Sequence, residues 1–306
     1  MLLGSSKQPR NFYRHMFSLF NRLVVTNEKY LKKYSNVVLL AWTVWILFPL
    51  LQSGFISDDS YYSQIRGLLI FHDMTFWQEV WDRISDGLSD AGRFRPLNWI
   101  YLYGLYYTTQ NLLLIKSITL LIICVDVLLF STIIRTLTRS RNLGYLCAFL
   151  VPLFFQFRFW HDPILAFTFF LPMMCMFLFI SILFLIKYLE KKENSYLVYF
   201  IFVYFVSLLT YEITYSFILC YISIIFFYPL ERKSYKIIIS IVLLTLVHIG
   251  INNYFYMGAS PINLEGEYLG AKLQLDLIGV IHALYIQVTS ALPLSWKFAN
   301  APFHQK

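Results

Sequence analysis

The segment LLLIKSITLLIICVDVLLFSTIIRTL, residues 112–137, is apolar almost throughout. About 20 apolar residues in helical form cross the hydrocarbon core of a bilayer, so this segment is long enough to span one. Apolar runs of similar length recur along the chain, which is 58% hydrophobic and only 14% charged. Soluble domains carry about 25% charged residues. The sequence therefore predicts an all-α, polytopic membrane protein with about seven or eight transmembrane helices.

The positive charge of the chain lies between the apolar runs. The formal net charge is +8, and the basic residues cluster in short segments, which is typical of cytoplasmic loops and not of a nucleic-acid-binding stripe. We therefore expect membrane lipids, and no nucleic acid, among the partners. The cysteines lie inside apolar runs without paired spacing, which supports neither a disulfide framework nor a zinc site. They are Cys124, Cys147, Cys175 and Cys220.

The distribution of lysine and arginine also predicts an orientation. The basic tail, residues 1–35, stays in the cytoplasm, and helix 1, at about Asn36–Gly54, runs outward. Residues 55–111 form the first outer loop, with short helices lying in the membrane interface. Leu97–Thr108 is assigned to a short helix on the outer face, because a second crossing there would place the arginines after helix 2 outside.

The remaining spans alternate in direction, so that the later lysines and arginines also lie inside. They are helix 2 at Leu112–Leu137, helix 3 at Leu143–Phe157, helix 4 at Ile164–Ile186, helix 5 at Tyr196–Tyr211, helix 6 ending near Tyr228, and helix 7 at Ile237–Ile251. Residues 36–252 form the transmembrane domain. Residues 253–306 form an outer loop, a last segment at Leu275–Leu294 that is either an eighth span or an outer-face helix, and a short tail. The expected location is a cell membrane.

With this orientation, all the polar clusters of the chain lie on the outer side. Ionisable residues beside or within a membrane are costly to keep, so they indicate a functional site. This coincidence is the strongest argument that the sequence supplies. The clusters are Asp58 with Asp59, Arg93 with Arg95, His161 with Asp162, and Glu212.

The adjacent acids Asp58 and Asp59 have two interpretations. One carboxylate placed against an acceptor hydroxyl serves as the general base of an inverting transfer, in which the acceptor attacks the anomeric carbon directly. Alternatively, both acids cap an interfacial helix that starts near Tyr61, since Asp is a preferred N-cap residue. Spacing alone favours the cap.

Arg93 and Arg95 have the chemistry of a phosphate site. A guanidinium group is permanently charged and holds two phosphate oxygens at once, and it stabilises the charge that develops on a departing phosphate. The alternative is that both side chains bind lipid headgroups or extend to the membrane surface. Pro96 follows directly and suits the first position of a helix.

The remaining outer residues are weaker candidates. His161 and Asp162 either orient an acceptor or hold a divalent metal together with the first acids, and Asp59 and Asp162 are the metal candidates. Asp162 alternatively caps the helix that begins at Pro163. Glu212 ends helix 5, where the helix dipole disfavours an acid, so a partner elsewhere in the fold is expected.

This order of residues resembles the GT-C class of integral-membrane glycosyltransferases, the branch of aminoarabinose transferases, protein mannosyltransferases and O-antigen glucosyl-modifying enzymes. Asp58–Asp59 matches the acidic pair of the class, Arg95–Pro96 its basic-proline element, and Asp162–Pro163 its second-loop acid. The resemblance covers roughly residues 36–252.

The resemblance implies a polyprenyl-phosphate sugar donor and transfer with inversion on the extracytoplasmic side. Asp58 is then the base and Asp59 its partner. Arg93 and Arg95 contact the donor phosphate, and Asp162, His161 and Glu212 lie on the acceptor side. Lipopolysaccharide, another cell-surface glycan, a lipid or a protein remain open as acceptor, and a divalent cation remains open as cofactor. Members of the class are usually longer than 306 residues, so the chain is expected to be short for its class and is open to interpretation as a truncated form.

Two other functions compete with this interpretation. A transporter or flippase of lipid-linked sugars is expected to show charges at the membrane midplane and repeated halves, and only Asp126 lies deep in a predicted span. A truncated, non-catalytic remnant or partner would retain the fold without the chemistry.

Overall fold

The computed structural model describes residues 28–55, 58–155, 169–227 and 235–256. Nearly all of these residues are helical, and none of them forms a strand. Two 3₁₀ helices, Val151–Phe154 and Glu212–Ser216, interrupt the series. The α-helices are α1 (Glu28–Leu47), α2 (Pro49–Gln52), α3 (Asp58–Tyr62), α4 (Ile65–Phe71), α5 (Phe76–Ala91), α6 (Pro96–Thr108), α7 (Leu112–Thr138), α8 (Arg141–Leu150), α9 (Phe170–Lys191), α10 (Asn194–Leu208), α11 (Phe217–Phe227) and α12 (Tyr235–Tyr256).

Four helical segments are long and apolar enough to cross a membrane. They are Tyr34–Gln52, Leu112–Thr138, Phe170–Lys191 and Lys236–Phe255. Arg141–Phe154, Asn194–Leu208 and Glu212–Phe226 are shorter apolar helices. Each of the seven predicted apolar spans thus coincides with helix in the described part of the chain, as expected of an all-α membrane protein. The possible eighth segment, Leu275–Leu294, lies outside the described residues.

Several helix ends differ from the prediction. Helix 3 was predicted to continue to Phe157, but α8 ends at Leu150 and the chain continues as the 3₁₀ helix around Pro152, which has no N–H to donate. Helix 5 was predicted to end at Tyr211, but α10 ends at Leu208. Glu212 therefore begins a 3₁₀ helix instead of ending an α-helix, so the expected conflict with a helix C-terminal dipole was wrong.

The buried apolar side chains form three clusters. One joins α1 and α2 to α7 and α8 and includes Leu39, Leu50 and Ile123. A second joins the four helices α9, α10, α11 and α12 and includes Leu178 and Tyr221. The third, which we call the first-loop cluster, joins the short helices α3–α6 to single residues of α7 and α9. Its buried members are Ile65, Leu69, Val80, Ile84, Leu102, Tyr103, Tyr106, Ile115 and Phe170. The predicted first loop is therefore a packed helical layer.

Helices α7 and α8 approach each other closely at Gly144. A Cβ atom at this position would lie 2.8 Å from the backbone oxygen of Ser131 and 3.2 Å from the backbone nitrogen of Arg135. Neither backbone atom moves without separating the helices. Small residues allow such close packing between membrane helices.

Gly144→Ala is expected to lower the free energy of unfolding by about 1–3 kcal/mol, because the added methyl group overpacks a backbone contact. Unfolding of the purified protein in mixed micelles, titrated with SDS, measures this effect. Gly104→Ala is the matched control, since a Cβ at Gly104 in α6 meets nothing within 4 Å. That control is expected to stabilise α6 by up to about 1 kcal/mol through helix propensity. Equal stability of both variants would contradict the close approach.

Candidate functional site

The loop between α5 and α6 carries the two predicted phosphate-binding arginines. α5 ends at Ala91 and is followed by Gly92, whose φ of 59° is a left-handed conformation that glycine adopts without strain. The N–H of Arg93 then donates to the carbonyl oxygen of Gly87 at 2.8 Å. α6 begins with Pro96 at its first position, as predicted. Arg93 to Arg95 therefore lie in a tight connection between two helix ends.

Side chains of α12 hold the backbone of this loop. The Phe94 N–H donates to Asn252 Oδ1 at 2.9 Å, and His248 Nε2 lies 3.0 Å from the Phe94 carbonyl oxygen. The hydroxyl of Tyr215 hydrogen-bonds to His248 Nδ1 at 2.5 Å and accepts from Asn252 Nδ2 at 3.0 Å. The end of α10 contributes a further bond, from Leu97 N–H to the Leu209 carbonyl oxygen at 3.2 Å. The loop is thus attached to the second half of the chain.

The guanidinium group of Arg95 lies between two aromatic rings. Its Cζ is 5.8 Å from the centre of the Trp99 ring and 5.6 Å from that of Tyr211. The side chain is half-buried, and Nε is buried without a hydrogen-bond partner among the described residues. No carboxylate among the described residues forms an ion pair with it. Two aromatic rings therefore contact this cation, and none of the described residues accepts a hydrogen bond from its Nε.

Glu212 directly follows Tyr211, so the structure brings the segment of Glu212 to Arg95. Glu212 is half-buried, and its Oε1 is buried without a hydrogen-bond partner among the described residues. Within the described part of the chain, no lysine, arginine or histidine forms an ion pair with it. The partner that the sequence predicted for Glu212 therefore stays a prediction.

Asp59 forms a buried ion pair that the sequence analysis missed. Lys116 Nζ, in the second turn of α7, lies 2.9 Å from Asp59 Oδ2, and both side chains are 0% exposed. Asp58 and Asp59 are the first two residues of α3, so the predicted cap of a helix starting near Tyr61 was wrong. Burial, followed by the nearby charge of Asp59, raises the pKa of the Tyr106 phenol in α6. A lone lysine in an apolar span was the sequence signal for this pair.

Aromatic rings connect the acidic pair to the arginine. The Tyr62 ring, in α3, lies 5.8 Å from Tyr103, 6.3 Å from Tyr106 and 6.3 Å from Trp99. Trp99 in turn contacts Arg95. α3 and the loop before α6 therefore belong to one aromatic layer, although about thirty residues of sequence separate them.

Further polar atoms on α6 are buried without a hydrogen bond to any described residue. They are Oδ1 of Asn98, Nε1 of Trp99 and the hydroxyl of Tyr103. Buried polar groups are nearly always hydrogen-bonded, so such a group needs an explanation. These atoms lie along α6, which starts directly after Arg95 and carries Tyr106 near Asp59.

The other predicted site residues contribute less to this arrangement. Arg93 is half-buried, and its backbone is fixed by Gly87. His161 and Asp162 lie outside the described residues, as does the side chain of Asp58. Asp126 is buried within α7, and its Oδ1 has no hydrogen-bond partner in the part of the chain that the structure describes.

The metal prediction gains no support from the part of the chain that the structure describes. No group of three or more His, Cys, Asp or Glu side chains suited to a metal ion occurs there. Of the two candidates, Asp59 has its charge balanced by Lys116, and Asp162 is not described.

The fold and this site define an all-α protein with helices apolar enough to cross a membrane. Compared with protein-family models, curated proteins and solved structures, the chain matches none.

Proposed function

We propose that this chain is a membrane glycosyltransferase that moves a sugar from a polyprenyl-phosphate donor to a glycan, lipid or protein acceptor at the cell surface. The observation that carries the proposal is Arg95, a half-buried cation held by Trp99 and Tyr211 without a carboxylate partner among the described residues. A structural arginine in this setting is normally paired, whereas a phosphate-binding arginine keeps its donors available.

The proposed reaction is a direct displacement with inversion. The acceptor hydroxyl attacks the anomeric carbon, the bond from that carbon to the donor phosphate oxygen breaks, and polyprenyl phosphate leaves with the bonding electron pair. Arg95, with Arg93, binds the phosphate and stabilises the charge that it gains. Asp58 takes the proton from the acceptor hydroxyl as general base.

The ion pair gives Asp59 a supporting part in this scheme. Lys116 balances the charge of Asp59 and fixes α3 to α7. Asp58 is therefore the better candidate for the base, and Asp59 acts as its partner by holding the helix in place.

The polar atoms of α6 support a sugar-binding role for this helix, which connects the arginine to the buried acid. Sugars offer many hydroxyl groups, and Asn98, Trp99 and Tyr103 offer an acceptor and donors that no described residue uses. The aromatic rings beside them supply flat apolar surfaces for the faces of a pyranose. Glu212 lies at the Arg95 end and is proposed on the acceptor side with His161 and Asp162.

The proposed topology has seven or eight spans in a bacterial inner membrane, with the N-terminus in the cytoplasm and the site on the outer face. Exposed apolar side chains on α4 and α5 support an interfacial position for these helices. Ile70 and Phe71 are each 83% exposed, and Trp77 and Trp81 are 65% and 69% exposed. Tryptophan favours the headgroup region, and a helix with such a face lies in the interface.

Expression of the full chain in bacteria that make polyprenyl-phosphate hexoses tests this proposal. The mass of surface glycans and lipids is expected to increase by one hexose with the wild type, and not with Asp58→Asn at an equal membrane level. Asp86→Asn, at an exposed acid of α5, is the matched control and keeps the added mass. Retention of the added hexose by Asp58→Asn would exclude Asp58 as the base. No added hexose from well-inserted wild type would favour the transporter or the non-catalytic remnant.

A further inference from the structure

We infer that α12 positions the donor-phosphate loop, with His248 and Asn252 as positioning residues that act through the backbone of Phe94. The inference rests on the proposed function for the identity of the ligand, a polyprenyl phosphate. His248 and Asn252 lie 154 and 158 residues after Phe94 in the sequence. No motif in the chain indicates this contact.

Phe94 is the residue between the two arginines, and both hydrogen-bonding groups of its backbone are held by α12. Its N–H donates to Asn252 Oδ1, and its carbonyl oxygen lies 3.0 Å from His248 Nε2. The Phe94 ring also lies 6.3 Å from the His248 ring. These hydrogen bonds fix the peptide groups on both sides of Phe94. A rotation of the group between Phe94 and Arg95 would turn Arg95 away from Trp99 and Tyr211, so the α12 side chains determine where the guanidinium points.

The hydrogen bonds assign a role to each polar atom of the network. A carbonyl oxygen only accepts, so His248 Nε2 carries the hydrogen and Nδ1 is the acceptor. The Tyr215 hydroxyl then donates to Nδ1 and accepts from Asn252 Nδ2. Asn252 is oriented in turn, because its Oδ1 must face the Phe94 N–H. A network in which every member is satisfied favours one arrangement of the loop.

The network joins the loop between α5 and α6 to two elements that are distant from it in sequence, the 3₁₀ helix Glu212–Ser216 and α12. Tyr215 lies in the 3₁₀ helix that starts at Glu212, and His248 and Asn252 lie one turn apart on α12. Together they fix the loop that carries Arg95 relative to the segment that carries Tyr211 and Glu212. Residues of the second half thereby set the geometry of a site that the first loop carries.

Purified full-length protein in micelles tests this inference with two measurements. Hydrogen exchange followed by mass spectrometry reports on the peptide that contains Phe94, and titration with farnesyl phosphate reports on the affinity of the site. His248→Leu and Asn252→Leu are each expected to speed exchange of this peptide and to raise the Kd about 10-fold, as expected for loss of about one hydrogen bond.

Two further variants separate positioning from general damage. His248→Gln retains a side-chain N–H that reaches the Phe94 carbonyl, so it is expected to restore most of the affinity. Tyr254→Leu, at a 76% exposed position of α12, is expected to leave exchange and affinity at their wild-type values.

The outcomes distinguish this inference from the proposed function. Wild-type exchange or wild-type affinity in both folded leucine variants would overturn the positioning role, even if the wild type transfers sugar. If the leucine variants show the expected changes in exchange and affinity but the wild type transfers no sugar, the positioning role stands and the transferase proposal is overturned.

Discussion

Lys116→Met and Asp59→Asn are each expected to lower the free energy of unfolding by about 3–5 kcal/mol, because each leaves one buried charge without its partner. Both side chains are 0% exposed in the wild type, so water does not replace the lost partner. The loss equals much of the stability of an ordinary domain, and it is therefore expected to appear first as a low level of folded protein in membranes.

The double variant Asp59→Asn/Lys116→Met is expected to recover most of this loss, because it removes both charges at once. Titration with SDS in mixed micelles gives the free energy of unfolding of the wild type, both single variants and the double variant. Lys187→Met and Asp82→Asn, both at exposed positions, serve as controls with the same chemical changes. Single variants as stable as their controls would show that no buried ion pair exists.

Arg95→Ala is expected to lower the rate of sugar transfer by about 100-fold to 1000-fold, which is the usual effect of removing one group that stabilises developing negative charge. Arg95→Lys keeps the charge but loses the planar fork and its two-point contact, so an intermediate rate is expected. The protein level is expected to stay near that of the wild type, because each cation–π contact contributes only about 0.5–2 kcal/mol.

Initial rates in membranes with equal amounts of each variant measure this effect. Arg135→Ala is the matched control, because Arg135 is an exposed arginine in the last turn of α7. This variant is expected to transfer sugar at the wild-type rate. A wild-type rate with Arg95→Ala would show that the phosphate binds elsewhere.

The sequence predicted the apolar helices well because their signal is local. A run such as residues 112–137 carries enough hydrophobicity to define a span without knowledge of any neighbour, and α7 at Leu112–Thr138 ends within one residue of the prediction. The start of α6 at Pro96 was also predictable from the local sequence, because proline suits the first position of a helix.

The contacts between distant segments were not predictable in this way. The pairing of Asp59 with Lys116 joins residues 57 positions apart and follows from how α3 packs on α7. The sequence analysis assigned Lys116 no role, and no local pattern marked the contact of His248 with Phe94. The end of α10 at Leu208 was also missed, because hydrophobicity continues past the point where the helix stops. These features depend on packing that periodicity does not encode.

The sequence predicted that the polar clusters lie on the outer side of the membrane, and that orientation stays a prediction. The structure does bring neighbours of some of these clusters into contact. Arg95 contacts Tyr211, next to Glu212, and Tyr62 of α3 contacts Trp99 beside Arg95. His161 and Asp162 lie outside the described residues, so their place beside this site stays a prediction.

The fate of the bond between sugar and phosphate in the donor tests the account most directly. Purified chain in liposomes is given a polyprenyl-phosphate hexose that is labelled in the sugar, together with a membrane extract as acceptor source. The account predicts that polyprenyl phosphate appears in a one-to-one ratio with labelled sugar on the acceptor, and that Asp58→Asn forms neither product. An intact donor that only moves from one leaflet to the other would contradict the account and identify a transporter.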